Sequence, residues 1–205
     1  MNAFWLLKFF AVIAVIWGVN PALGYEMTHD YYNRFRSPYR NNVYLSQQVH
    51  AVRGEMGLSK DSVNRYDGYG LQLSAGIEHF RFVQTGAFFS TTQMSDPDAA
   101  SNEARMVDTG FEAKMVMSTP VSNIIVGGAG IASRAHLNIN GDRIAVSGTG
   151  VRGSFEVSYY ASAQVSLVFG ASHSIMNYTG KGANGESLKP VSQVSRAGVG
   201  LTVWL

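Results

Sequence analysis

The last ten residues of the chain alternate strictly between apolar and small, polar or aromatic side chains. Counting back from the end, every second residue is apolar: Leu205, Val203, Leu201, Val199 and Ala197. The positions between them hold Trp204, Thr202, Gly200, Gly198 and Arg196. Because successive side chains of a strand point to opposite faces, this pattern predicts a β-strand with one apolar face that runs to the last residue.

Seven further segments between residue 45 and this tail alternate in the same way. They lie near 46–58, 69–78, 82–93, 107–117, 125–136, 151–159 and 165–174. Each is long enough to supply the roughly 9–11 residues that a tilted strand needs to cross a bilayer. An open sheet edge cannot lie in lipid, and single-chain bacterial barrels have an even number of strands. The predicted fold is therefore all-β, an eight-stranded antiparallel up-and-down transmembrane β-barrel over residues 45–205.

The predicted connections alternate between long and short, as is typical of outer-membrane barrels. Long ones are expected at 59–68, 94–104 and 177–190, and short ones at 79–81, 118–123 and 160–164. The connection after the fifth strand is also short, because Asn140-Gly141 is a tight hairpin signal. The loop residues expected to make surface contacts are Lys60, Asp61, Arg65, Asp96, Asp98, Glu103, Lys181 and Glu186.

The start of the chain predicts export. One lysine, Lys8, precedes an apolar run at 9–19, and the small residues Ala22 and Gly24 follow it. Residues 1–24 are therefore predicted to be a signal peptide cleaved before Tyr25. The alternative, a membrane anchor helix, is disfavoured because the run is shorter than the roughly 20 residues of a spanning helix.

Residues 25–44 form a predicted periplasmic N-terminal segment with five of the ten tyrosines. Two interpretations stay open, a contact with peptidoglycan or a periplasmic protein, and a loosely ordered leader at the membrane surface. The net charge of +2 gives no reason to expect a nucleic acid partner. The absence of cysteine excludes disulfides, cysteine-ligated metals and a lipid-anchored lipoprotein start.

Charges of both signs fall on the faces that we expect to line the lumen. The predicted interior charge network comprises Arg53, Glu55, Glu78, Asp108, Glu112, Lys114, Arg134, Arg152, Glu156 and Arg196. Buried charges persist only when paired, and an eight-stranded barrel is just wide enough for side chains to fill it. These five positive and five negative residues therefore predict a salt-bridge network that plugs the lumen. The alternative is a gated or ion-selective pore.

Three sequence features are candidates for a catalytic or ligand-binding site. In Ser172-His173-Ser174 the alternation turns His173 away from both serines, although a base and a nucleophile must share a face. His136 is assigned to the interior network beside Arg134, and the remaining histidines show no metal-ligand spacing. The Gly-rich stretch 127–130 lacks the Lys-Ser/Thr and helix of a phosphate loop, and its small residues are expected to let bulky neighbours cross the lumen. No catalytic residue, metal or cofactor is predicted.

Aromatic residues near the predicted strand ends are expected to form interface girdles. They are Tyr44, Phe80, Tyr159, Tyr160 and Trp204 at one end, and Tyr66, Tyr69 and Tyr178 at the other.

On the strand pattern and the terminal strand, residues 45–205 resemble the small eight-stranded outer-membrane proteins of the OmpA-barrel and OmpX/Ail type. The chain departs from that class by ending in Leu205 rather than phenylalanine. The resemblance implies a bacterial outer-membrane location with both termini in the periplasm. It also implies contact with outer-membrane lipid, assembly through the C-terminal strand by the barrel assembly machinery, and an unidentified extracellular ligand.

The expected role is structural or interactive, in adhesion or envelope integrity, and not enzymatic. The alternatives are a narrow gated pore and a lipid A-modifying enzyme.

Overall fold

A computed structural model describes most of the chain from residue 43 onward. The described residues are 43–59, 62–79, 82–99, 102–118, 122–139, 141–161, 164–182 and 185–205. The predicted signal peptide, nearly all of the predicted segment 25–44, and the loop residues Lys60 and Asp61 lie outside them. Among the described residues, no helix is long and apolar enough to cross a membrane.

The described chain is built from β-strands. They are β1 (Val43–Ser59), β2 (Ser62–His79), β3 (Val83–Ser95), β4 (Glu103–Ser118), β5 (Ser122–Ile139), β6 (Asp142–Tyr160), β7 (Val165–Lys181), the two-residue β8 (Ser187–Leu188) and β9 (Val191–Trp204). Each strand from β1 to β6 pairs antiparallel with the next, β7 pairs with β9, and β9 pairs with β1. The prediction of an all-β, eight-stranded antiparallel barrel is confirmed, and β8 is a short addition to β7.

The pairing has a stagger that sets the shape of the barrel. Following paired residues once around the barrel from Tyr44 leads to Gly54, ten residues further along β1. A stagger of this kind requires strands tilted to the barrel axis, typically by about 35–45°. We call the end with the β1–β2, β3–β4, β5–β6 and β7–β9 connections the loop end, and the opposite end, near Val43 and Leu205, the terminal end.

The strands extend further toward the loop end than the sequence predicted. The β1–β2 connection, predicted at 59–68, is only 60–61, and β7 continues to Lys181. Arg65, Glu103 and Lys181 therefore lie in strands rather than in loops. Strands of 13–19 residues exceed the 9–11 that a membrane crossing needs.

Outward-facing apolar side chains form a belt around the barrel. On β4 the belt runs from Val107 to Met117, and on β2 from Tyr69 to Ile77. Beyond it, toward the loop end, the outward positions become polar or charged, beginning with Arg105 on β4. An apolar outer band with polar residues beyond it is the surface that a bilayer requires of a barrel.

The lumen has two layers. Toward the loop end it is filled by an apolar cluster: Val52, Met56, Tyr66, Phe88, Met94, Ala104, Met106, Ile131, Ala135, Leu137, Val146, Met176, Tyr178 and Val194. From the middle of the barrel to the terminal end, the buried side chains are mainly polar or charged. The barrel is therefore apolar outside and polar inside over the belt, and polar outside and apolar inside beyond it.

Candidate functional site

Seven of the ten charged residues assigned to the interior by the sequence face the lumen. They are Glu78, Asp108, Glu112, Lys114, Arg152, Glu156 and Arg196, and all are buried. Because successive side chains of a strand point to opposite faces, these residues share the inward face with the other buried residues of their strands. The structure resolves them into two main clusters and a separate pair.

The larger cluster is centred on Lys114. Its Nζ atom lies 3.0 Å from Glu112 Oε1 and donates to Glu156 Oε1 at 3.0 Å. Tyr44 adds a longer hydrogen bond, from its hydroxyl to Glu112 Oε1 at 3.5 Å. One buried ammonium thus bridges two buried carboxylates, and each charge depends on the others being present.

Arg152 continues this cluster across the lumen. Its Nη2 atom lies 3.4 Å from Glu112 Oε2, and Nη1 donates to Gln72 Oε1 at 2.7 Å. The guanidinium also stands 3.9 Å from the centre of the Phe88 ring, a cation–π contact. Because Phe88 belongs to the apolar cluster, Arg152 joins the polar and apolar layers.

The smaller cluster surrounds Asp108. Its carboxylate accepts from Arg196 Nη2 at 2.7 Å and from Ser133 Oγ at 2.6 Å. Arg196 donates in turn to Ser174 Oγ at 2.9 Å, and Ser133 Oγ lies 2.9 Å from the Tyr178 hydroxyl. Separately, Glu78 accepts from Gln84 at 3.1 Å. Each buried carboxylate therefore has a cationic or amide partner.

Small residues make room for these side chains. Glu112, Ala129 and Arg152 are paired in one row across β4, β5 and β6, so the short Ala129 side chain leaves space for the charges to meet above it. At Gly127 a Cβ atom would lie 2.5 Å from Lys114 Cγ. At both Gly76 and Gly86 it would lie 2.7 Å from the Tyr44 hydroxyl. Small residues at 127–130 were predicted to let bulky side chains cross the lumen. Gly127 and Ala129 face inward and do so, for Lys114 and for the Glu112–Arg152 pair.

The other three predicted network members, Arg53, Glu55 and Arg134, were assigned to the wrong face. All three point outward beyond the belt. Arg53 Nε donates to Asp67 Oδ1 at 2.8 Å, and Arg65 Nε donates to Glu55 Oε1 at 3.2 Å. The hydrogen bond and the charge of Asp67 raise the pKa of the Arg53 guanidinium above its usual value. His136, assigned inward with Arg134, also points outward.

These errors have two physical causes. Charge was expected inside and apolar residues outside along the full length of every strand, and this expectation holds only where lipid surrounds the barrel. Beyond the belt the two preferences are exchanged, so on β1 Val52 and Met56 fill the lumen while Arg53 and Glu55 face outward. On β5 apolar or small residues occupy both faces within the belt, so polarity there did not identify the inward face that leaves Arg134 outside.

The structure is similar to solved structures of small outer-membrane proteins. Neisserial surface protein A (NspA) superposes with a TM-score of 0.59 at 16% identity, over 80% of this chain and 97% of NspA. The outer membrane protein OprG from Pseudomonas aeruginosa superposes with a TM-score of 0.53 at 8% identity, over 81% of this chain and 98% of OprG. The fold is that of the small outer-membrane barrels. No protein-family model matches the sequence, and no curated protein matches it.

This outer-membrane-type barrel uses its aromatic residues differently from the prediction. Tyr69 and Tyr159 face outward, as girdle residues do. Four others predicted for the girdles are instead buried in the lumen: Tyr44, Tyr66, Tyr178 and Trp204. The signal was in the sequence, because each occupies the same alternate positions as the polar residues of its strand. Phe80 lies outside the described residues.

The loop residues predicted to make surface contacts fall into different classes. Asp96 organises its own loop, since its carboxylate accepts from the backbone N–H groups of Asp98 at 2.9 Å and Ala99 at 3.3 Å. Glu103 lies 3.7 Å from Arg105. Asp98, Lys181 and Glu186 are exposed near the loop end.

The histidine of Ser172-His173-Ser174 faces outward, and both serines face inward. The partner of His173 was not predicted: its Nδ1 atom lies 3.0 Å from Ser195 Oγ on β9. On its other side His173 is paired with Gly153, which has no side chain to orient the ring. Within the described part of the chain no carboxylate contacts His173, and no group of three or more possible metal ligands is found. A lone, exposed His–Ser pair lacks the third group of a hydrolytic site.

Proposed function

We propose that this chain is a closed, non-conducting barrel of the bacterial outer membrane that carries a rigid β-sheet platform beyond the membrane for surface interactions. The observation that carries the proposal is that charged and apolar side chains fill the lumen of the described barrel. A cavity between Gln48, His50, Gln72 and Arg152 measures about 10 Å³, which is room for about one water molecule. The apolar cluster covers this polar layer on the loop-end side. A larger cavity of about 890 Å³ is bordered mainly by outward-facing residues such as Ala51, Phe155 and His173.

The outer surface supports the proposed location. The apolar belt suits contact with outer-membrane lipid, and the apolar outward face of β9 at the chain end suits recognition by the barrel assembly machinery. We place both termini in the periplasm and the loop end outside the cell, because the projecting strands lie at the loop end. The exposed Asp98, Lys181 and Glu186 would then meet an extracellular ligand, in an adhesive or envelope-supporting role without catalysis.

Planar bilayer recordings test whether the lumen is closed. We expect the purified protein to give no unitary current steps above the bare bilayer, while a general porin inserted under the same conditions gives them. Regular steps that scale with the number of inserted barrels would overturn the proposal in favour of a narrow pore.

The ion network should contribute strongly to stability. Lys114→Met leaves Glu112 and Glu156 without their shared cation, and removing one partner of a buried ion pair typically costs about 3–5 kcal/mol. The control is Arg65→Gln, which breaks an exposed pair and should cost about 1 kcal/mol or less. Urea unfolding in lipid vesicles, followed by the mobility of unboiled samples on gels, measures both. Equal losses of unfolding free energy in the two variants would show that the buried ion network does not stabilise the barrel more than an exposed ion pair does.

A further inference from the structure

The outward charges beyond the belt are neutralised on one side of the barrel. On β1 and β2, Arg53 is 2.8 Å from Asp67, and Arg65 is 3.2 Å from Glu55. The two ion pairs cancel the charge of both arginines on that surface.

On β4 and β5 the balance is different. Arg105, Arg134 and His136 all point outward, and His136 is directly opposite Arg105. Arg105 forms an ion pair with Glu103 at a longer 3.7 Å, which leaves the charge of Arg134 unbalanced. Arg134 is paired with Val107 on β4 and Ser147 on β6, and no ion pair to it occurs among the described residues. This surface therefore has an excess of positive charge.

The two arginines lie where the belt ends. Arg105 is the first outward residue beyond Val107 on β4, and Arg134 is the first beyond Ala132 on β5. Since Arg105 is opposite His136, Arg134 is its diagonal neighbour, and such positions are about 7–8 Å apart. Two long side chains at that spacing can converge on one group, and the planar guanidinium fork matches phosphate oxygens.

We propose that Arg105 and Arg134 bind a phosphate group of a phosphorylated glycolipid in the outer leaflet, with His136 as a neighbouring donor. The inference builds on the proposed function, which puts the loop end in that leaflet. A lipid rather than a free phosphate ion fits the surface, because Val107 and Ala132, the next outward residues of β4 and β5 toward the terminal end, belong to the apolar belt and would contact the acyl region.

The test measures retention of lipid A by the full-length protein in phosphatidylcholine nanodiscs, using native mass spectrometry. Diphosphorylated lipid A is compared with the same lipid after phosphate removal. We expect the protein to retain the phosphorylated form preferentially. R105Q/R134Q should lower that retention about tenfold, the effect of losing roughly one charge-assisted hydrogen bond. The matched control, R53Q/R65Q, also removes two positive charges, but from the surface of β1 and β2 where both arginines are ion-paired. This variant should retain the lipid.

Three results would overturn the proposal. Equal losses of lipid A retention in both double variants would indicate an effect of net charge. Unchanged retention in both would show that Arg105 and Arg134 do not form a lipid site. Displacement of lipid A by millimolar inorganic phosphate would assign the surface to a free ion. The mobility shift of unboiled samples shows that each variant is folded. Both leaflets of a nanodisc carry the lipid, so the result does not depend on which leaflet the loop end faces. A failure of this test leaves the closed barrel of the proposed function standing. Current steps in planar bilayers, in turn, would not change the lipid result.

Discussion

Gly127 has no side chain, and the space that a side chain would occupy is filled by Lys114. A Cβ atom at Gly127 would lie 2.5 Å from Lys114 Cγ and 2.7 Å from the carbonyl oxygen of Ala113. The backbone oxygen cannot move without disturbing the β4–β5 pairing, and Lys114 cannot move without leaving Glu112 or Glu156. The position is therefore fixed by the ion network rather than by a special backbone angle.

Gly127→Ala should destabilise the barrel by about 1–3 kcal/mol, the usual cost of overfilling a packed interior. The control is Gly130→Ala on the same strand, where a Cβ atom would meet nothing within 4 Å. Since alanine has a better strand propensity than glycine, that change should be neutral or slightly stabilising. Urea midpoints of the two variants in vesicles provide the comparison. Similar midpoints would mean that Lys114 adapts without cost.

Within single strands, alternation was a better guide to the inner face than side-chain polarity. In β1 the polar residues Ser46, Gln48 and His50 occupy even positions, so unbroken alternation puts Val52 inside and Arg53 outside. The period of two follows from backbone geometry and does not change along the strand. Polarity depends on the surroundings, which change from lipid to water at the end of the belt. In β5, apolar or small residues occupy both faces, so its inward face could not be read from the sequence.

Introduced cysteines can locate the point on a strand where the surroundings change from lipid to water, because the chain has no cysteine of its own. Ser147 points outward beyond the belt beside Arg134, and Ala113 points outward within it. We expect Ser147→Cys to react with a charged, membrane-impermeant maleimide in intact cells and Ala113→Cys to react only after detergent solubilisation. Labelling of both in cells would show that the belt is not in lipid. Labelling of neither would place the loop end inside the cell envelope.

At the scale of the whole barrel, the fold was predictable and the detailed lumen was not. Eight alternating segments of suitable length require closure in a membrane, since no edge can remain open there. The partners of Lys114 and Arg152 depend on the ten-residue stagger, which brings Glu112 and Arg152 into one row across three strands. No local pattern encodes that stagger. The apolar cluster was missed for a related reason, because its members come from all seven long strands before β9 and from β9 itself.

The seam between β1 and β9 closes the barrel and can be tested directly. Ala51 and Ala197 are paired across it, and both point outward. Paired residues of an antiparallel sheet have Cα atoms about 4.5–5.5 Å apart, within the range that a disulfide spans. Oxidised A51C/A197C should therefore form an intramolecular crosslink, and after boiling it should migrate differently from the reduced sample because the denatured chain holds a large closed loop.

The matched control is A51C/A171C, whose positions are separated by β9. Ala171 is paired with Ala197 rather than with Ala51, so its Cα atom lies two strand spacings, about 9–10 Å, from that of Ala51. That distance is too great for a disulfide, and no crosslink should form. A crosslink in the control alone would show a different order of strands at the seam. Absence of a crosslink in A51C/A197C, with a normal mobility shift of the unboiled protein, would show that β1 and β9 close the barrel in another register.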